Sequence, residues 1–226
     1  MIGTIVNTVA VIFGGIIGLF LKKGVSKRFS EVVMNGLALC VIYIGISGVL
    51  KGENTMIVIL SMVFGALIGE GVNLDKRVRD LGNLIEGKFK SKDENISIAE
   101  GFVTASLLFC VGAMAIVGSL QSGLTGNYEM LFTKSILDGV ASILFAASLG
   151  VGVIFSAVFV FVYQGSITLL AQFIAPYLSD IVIAEMTCIG SLLIIGLGLN
   201  MLNVTKLKIM NYIPAIFLPI IIYLCI

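Results

Sequence analysis

The chain has 226 residues, 58% of them hydrophobic and 12% charged, with a formal net charge of +1 and a mean hydropathy of +1.13. So small a net charge excludes a nucleic-acid partner, because no basic field exists beyond a few short segments. The absence of histidine removes the commonest general base, and with it His-based zinc sites and Ser–His dyads, so no enzymatic activity is expected.

Seven charge-free runs (1–21, 32–50, 54–69, 101–128, 139–179, 186–205 and 209–226) hold 163 of the residues. A charged side chain costs about 2.5–3.5 kcal/mol on insertion into hydrocarbon, so these runs read as lipid-embedded. A spanning helix needs about 20 apolar residues. On that length the runs predict an all-α, polytopic transmembrane bundle of about eight spans: 2–21, 32–50, 55–72, 98–119, 131–149, 152–176, 183–202 and 208–226. The whole chain, 1–226, is one integral membrane domain, with halves at 1–90 and 97–226.

The first run lacks a basic n-region and has the length of a full span, so it reads as a retained helix and not a cleaved signal. Its Gly14-xxx-Gly18, like Gly65-xxx-Gly69 in the third span, has the spacing that lets helices approach closely. Between spans three and four, Leu74, Val78, Leu81, Ile85 and Phe89 recur at helical spacing, with charges on the other faces. This predicts an amphipathic helix on the cytoplasmic surface, lying either on the lipid or against the span ends. The 41-residue run 139–179 must contain a turn, placed at Gly150-Val151-Gly152. The sixth span carries a polar interruption, Tyr163 to Thr168, where a discontinuous helix is one reading. Pro214 and Pro219 bend the eighth.

With alternating crossings, twelve basic residues fall on one side and only Lys51 and Lys134 on the other. That asymmetry sets the basic side in the cytoplasm and both termini outside. Cys40, Cys110, Cys188 and Cys225 all lie in apolar runs without metal-binding spacing, so neither metal, cofactor nor disulfide is expected.

Two internal echoes stand out. Leu37–Leu50 and Leu107–Leu120 share six of fourteen positions, and Ile5–Ile12 echoes Ile136–Ile143, setting Asn7 against Asp138. Either chance or an ancient duplication explains them; a duplication gives parallel repeats, at whose interface carriers often place their sites.

Polar side chains inside spans are costly in lipid and face the bundle interior. The substrate- or ion-path candidates are Asn7, Asn35, Glu100, Thr104, Lys134, Asp138, Gln164, Glu185 and Asn200. Lys134 and Asp138 share a helix face, as a neutralising pair or as a coupling site, with Asp138 roughly 10 Å into its span. Glu70, between Gly69 and Gly71, is a cation-site candidate, although helix packing also explains those glycines.

The opening Gly3-Thr-Ile-Val-Asn7, the run Gly101 to Met114, Lys134-Ser-Ile-Leu-Asp138-Gly139 and Gly196-Leu-Gly-Leu-Asn200 resemble the YdfK/YqgA-type family of uncharacterised membrane proteins (domain of unknown function 554). The resemblance implies a bacterial cytoplasmic-membrane protein and carries no assigned activity. The expected function is a small-solute transporter or channel, with ion or proton coupling as an option. The alternatives are a membrane assembly or sensor protein and, lower, a membrane-embedded enzyme. The expected partners are the bilayer, a small solute or ion, and a second copy of the chain.

Overall fold

A computed structural model describes residues 1–22, 27–77, 80, 98–111 and 113–225, and among these every regular element is helical. In chain order they are α1 (Ile2–Lys22), α2 (Lys27–Val49), α3 (Thr55–Val72), α4 (Ile98–Cys110), α5 (Ala113–Leu124), α6 (Glu129–Leu149), α7 (Gly152–Leu169), α8 (Ala171–Ile174), α9 (Asp180–Met201) and α10 (Leu218–Cys225). Two 3-10 helices, Ala175–Tyr177 and Ile209–Phe217, precede α9 and α10. Among the described residues α1, α3, α6, α7 and α9 are long and apolar enough to cross a membrane, six spans in all if α4 and α5 count as one bent span. The predicted amphipathic helix lies almost wholly outside the described residues.

The faces of these helices are sorted by size. In α1 the buried positions are Gly3, Thr4, Asn7, Val11, Gly14, Gly15 and Gly18, while Ile2, Ile5, Phe13, Ile17 and Phe20 are exposed. In α3 the buried side is Ile57, Ser61, Gly65 and Gly69, against exposed Leu60, Phe64 and Leu67. A water-soluble helix would bury its large apolar face. Here the large side chains point outward because lipid tails are as apolar as they are, and small residues let helices close on each other.

The helices gather into two compact units. The first holds residues 1–34, 78–110 and 114–172, and the second 35–77, 111–113 and 173–226. In the first, α1 and α6 run parallel: a Cβ on Gly3 would meet Leu131, one on Gly14 would strike Ser142 and the Gly139 carbonyl, and one on Gly18 the Ile143 carbonyl. Helix α7 crosses α1 in the opposite sense, with Gly15 against Ile154 and Gly165 against Thr4. Helices α4 and α5 run with α7, from Gly152 on Ile98, through Phe102 edge-on to Phe159, to Gly123 on Thr168. In the second unit the largely buried α9 lies antiparallel to α2, seating Gly198 on Ala38 and Ile42 and Ser191 on Gly45 and Gly48. Gly65 and Gly69 of α3 receive Ala215 and Asn211 of the 3-10 helix.

Several boundaries agree with the sequence. Helix α3 has the expected limits, capped by the Asn54 side chain at its start and by Asn73 in the left-handed region (φ 54°) at its end. The 150–152 turn is present, with Gly150 at φ 81°. Other features differ. The fourth span is not one helix: α4 and the stretch Met114–Leu124 are bent by 60°. Val111 leaves the helix line and packs on Gly190. The sixth span, where a break near Gln164 was one reading, is continuous helix from Gly152 to Leu169 and stops after it, ahead of Pro176. Helix α9 is likewise unbroken through Gly196 and Gly198. Pro214 and Pro219 cannot donate to a carbonyl four residues back, and the chain ahead of Pro219 winds as 3-10 helix.

Replacing Gly14 by Leu is expected to destabilise the purified protein in thermal unfolding, by at least the about 1–3 kcal/mol typical of overpacking. Gly71→Ala, where an added Cβ meets nothing within 4 Å, is expected to leave stability unchanged or slightly raised.

Candidate functional site

The close packing of α1 on α6 encloses a charge. Lys134 and Asp138 lie one turn apart on the buried face of α6, each only 6% exposed. The Lys134 ammonium donates to both carboxylate oxygens of Asp138 at 2.9 Å. The Asn7 amide of α1 donates to Asp138 Oδ2, also at 2.9 Å. Both oxygens are therefore satisfied, as a carboxylate in this setting requires. Ser142, one turn further along α6, donates to the Val11 carbonyl. Asn7–Asp138 and Val11–Ser142 are both separated by 131 residues, the offset of the second sequence echo, and the two segments run in the same direction.

Helix α7 closes the cluster from the other side of α1. Thr4 and Thr168 bring their hydroxyls to 3.5 Å. One turn inward, Asn7 follows Thr4 on α1 and Gln164 precedes Thr168 on α7, so the antiparallel crossing carries both amides to one level. Gln164 is fully buried, and neither its Oε1 nor its Nε2 has a protein partner among the described residues; the same holds for Asn7 Oδ1. The last residue of α4, Cys110, is buried within electrostatic reach of Lys134, Asp138 and Tyr163. The hydroxyls of Thr104, Ser106, Ser119 and Ser122 are also buried in this unit, without protein partners among the described residues.

The structure joins Asn7, Lys134 and Asp138 by hydrogen bonds, places Gln164 one turn along α7 from the Thr4–Thr168 contact, and gives the other predicted residues different settings. Asn35 is exposed on α2, and Glu100 is exposed in the first turn of α4, where a negative charge suits the helix dipole. Asn200 is fully engaged: its amide donates to the Leu207 carbonyl, and its oxygen accepts from Thr205 and the Leu207 amide, fastening the connection after α9. Glu70 is held by Lys208 at 2.9 Å and by Asn211, whose own oxygen accepts from the Asp75 amide. Gly69 beside it makes room for the Asn211 backbone, which gives the glycine a packing role. Glu185 is fully buried and receives the backbone amides of Glu53 (2.9 Å) and Asn54 (2.6 Å) at the start of α3. Cys110 and Thr4 were not singled out in the sequence as parts of a site, and Thr168 only as the end of the polar interruption in the sixth span. Cys110 carried one signal, its identity with Cys40 in the first echo.

Breaking a buried ion pair from one side leaves an uncompensated charge, at a cost of about 3–5 kcal/mol. Lys134→Met is therefore expected to lower the unfolding midpoint far more than the double variant Lys134→Met/Asp138→Asn, measured by denaturation in the same detergent. Equal losses in the two proteins would mean that the pair does not act as a unit.

Two curated relatives align along nearly the full chain. Uncharacterized membrane protein YdfK of Bacillus subtilis (strain 168) is 35% identical over 223 residues, 97% of this chain and 94% of its own length. Uncharacterized protein YqgA of Escherichia coli (strain K12) is 29% identical over 221 residues, 96% of this chain and 94% of its own. No solved structure matches. The family described as Protein of unknown function (DUF554) matches residues 2–224, and the chain belongs to that family.

Proposed function

We propose that this membrane protein is a carrier for a small polar solute, which binds at the Asn7–Lys134–Asp138–Gln164 cluster and is released by alternating access. The observation that supports this reading is the set of buried polar atoms without protein partners in the first unit. Each such atom costs about 1–3 kcal/mol if nothing meets it. Seven are present: Asn7 Oδ1, Gln164 Oε1 and Nε2, and the hydroxyls of Thr104, Ser106, Ser119 and Ser122. Their sum would rival the about 5–15 kcal/mol that stabilises a whole domain. A hydroxyl can swing back onto a carbonyl of the preceding turn, so the two amides carry the argument. Water or a solute must serve them.

Eight alternating crossings are the topology we infer around this site. Parallel α1 and α6, parallel α4 and α7, and antiparallel α1 and α7 fit such alternation in the first unit, as do antiparallel α2 and α9 in the second. The last crossing is short in residues but not in reach. At the larger rise of a 3-10 helix, Ile209–Phe217 followed by α10 extends about 30 Å, the thickness of the hydrocarbon core. The basic residues then collect on the cytoplasmic side of a bacterial membrane and both termini lie outside.

Two measurements check these inferences. Alkaline phosphatase fused after Ile226 is expected to be active in cells and a fluorescent protein at the same place dark; the reverse pattern would overturn the topology. For the site, Cys40, Cys188 and Cys225 are replaced by Ser, leaving Cys110 as the one thiol. A charged, membrane-impermeant methanethiosulfonate is expected to modify it, since thiolate forms where water reaches. Modification by apolar maleimides alone would mean a dry cluster and no carrier site.

A further inference from the structure

We propose that the solute is a zwitterion, an ammonium and a carboxylate on one small molecule as in a neutral amino acid. This rests on the carrier reading above and goes beyond it in naming a chemical class. The argument follows from the closed charge balance of the cluster. Lys134 and Asp138 neutralise each other at 2.9 Å, and Asn7, Gln164, Thr4 and Thr168 bring no charge.

A solute anion entering this cluster would draw Lys134 away and leave Asp138 uncompensated. A solute cation would do the reverse. Either exchange strands one buried charge, the costly outcome for an internal ion pair. A zwitterion strands neither: its carboxylate takes the Lys134 ammonium and its ammonium takes the Asp138 carboxylate. One internal pair is exchanged for two across the interface, and the net charge of the site is unchanged.

The amides without protein partners suit the same ligand. Asn7 Oδ1 and Gln164 Oε1 accept hydrogen bonds, as an ammonium requires, and Gln164 Nε2 donates, as a carboxylate requires. All three atoms are completely buried, so they act where water competes least.

The test uses the full-length protein with Cys110 as its one thiol. Three mixtures at equal concentration are compared: neutral L-amino acids, their methyl esters (cations) and the corresponding 2-hydroxy acids (anions). The amino acids are expected to slow methanethiosulfonate modification of Cys110 and to raise the unfolding temperature, while the other two mixtures do neither. Gln164→Glu keeps the shape of the side chain but sets a second carboxylate against that of the ligand. It is expected to weaken protection about tenfold or more, with its elution profile unchanged. Gln164→Ala, which removes the amide without adding charge, is expected to weaken it in the same direction. A reactive Cys110 that no mixture protects, or that esters or hydroxy acids protect as well as amino acids do, overturns the zwitterion and leaves the hydrated site standing. An unreactive Cys110 removes the hydrated site itself, and the zwitterion with it.

Discussion

The carboxylate of Asp138, held by Lys134 and Asn7, is the interaction around which the first unit is organised. In hydrocarbon no water is at hand to complete an unsatisfied charge, so its partners must come from neighbouring helices. Lys134 is supplied by the same helix one turn away, but Asn7 comes from α1 and can reach only if the two backbones nearly touch. Gly14 and Gly18 provide that closeness, at places where any side chain would strike α6. The glycine spacing and the buried charge are therefore two halves of one requirement. The large side chains displaced from the contact face outward, where lipid accepts them without penalty.

The second unit handles its polar groups differently. Glu185 gives one oxygen to two backbone amides that begin α3, Glu70 is tied to Lys208 and Asn211, and Asn200 spans the connection after α9. Each of these side chains fastens a helix end or a connection. In the first unit the polar groups lie in mid-helix, and the amides of Asn7 and Gln164 retain valences that no described neighbour uses. Leftover capacity is not confined to that unit, since Glu185 Oε2 and Ser61 Oγ are also buried without a partner among the described residues.

How much of this was legible in the sequence depends on the range of the interaction. Helix α3 is read to the residue from its apolar run, and the structure adds the local caps, Asn54 and Asn73, that hold those ends. The 150–152 turn and the Lys134–Asp138 pair are equally local. The break between α4 and α5 is not visible in hydropathy, since Cys110, Val111 and Ala113 are as apolar as a continuous span. Val111, at the break, packs on Gly190, some eighty residues away in the chain. The polar stretch around Gln164 misled in the opposite direction: a buried glutamine can be carried on an intact helix when neighbouring helices shelter it. Glu70, Glu185 and Asn200 could be recognised as costly in lipid, but their partners are set by tertiary structure. For the candidate site, sequence supplied Asn7, Lys134, Asp138 and Gln164, while the meeting of Asn7 with Asp138 required the packing of α1 on α6.

The partnership of Asn7 with Asp138 also has a schedule. The two residues are separated by 131 positions, and a ribosome adds about 5–20 residues each second, so roughly 7–26 s pass between their syntheses. Throughout that interval α1 enters the bilayer with an unmatched amide and a bare glycine groove. Whatever receives newborn helices at the translocon must shelter that stripe until α6 arrives, or α1 must wait at the edge of the lipid.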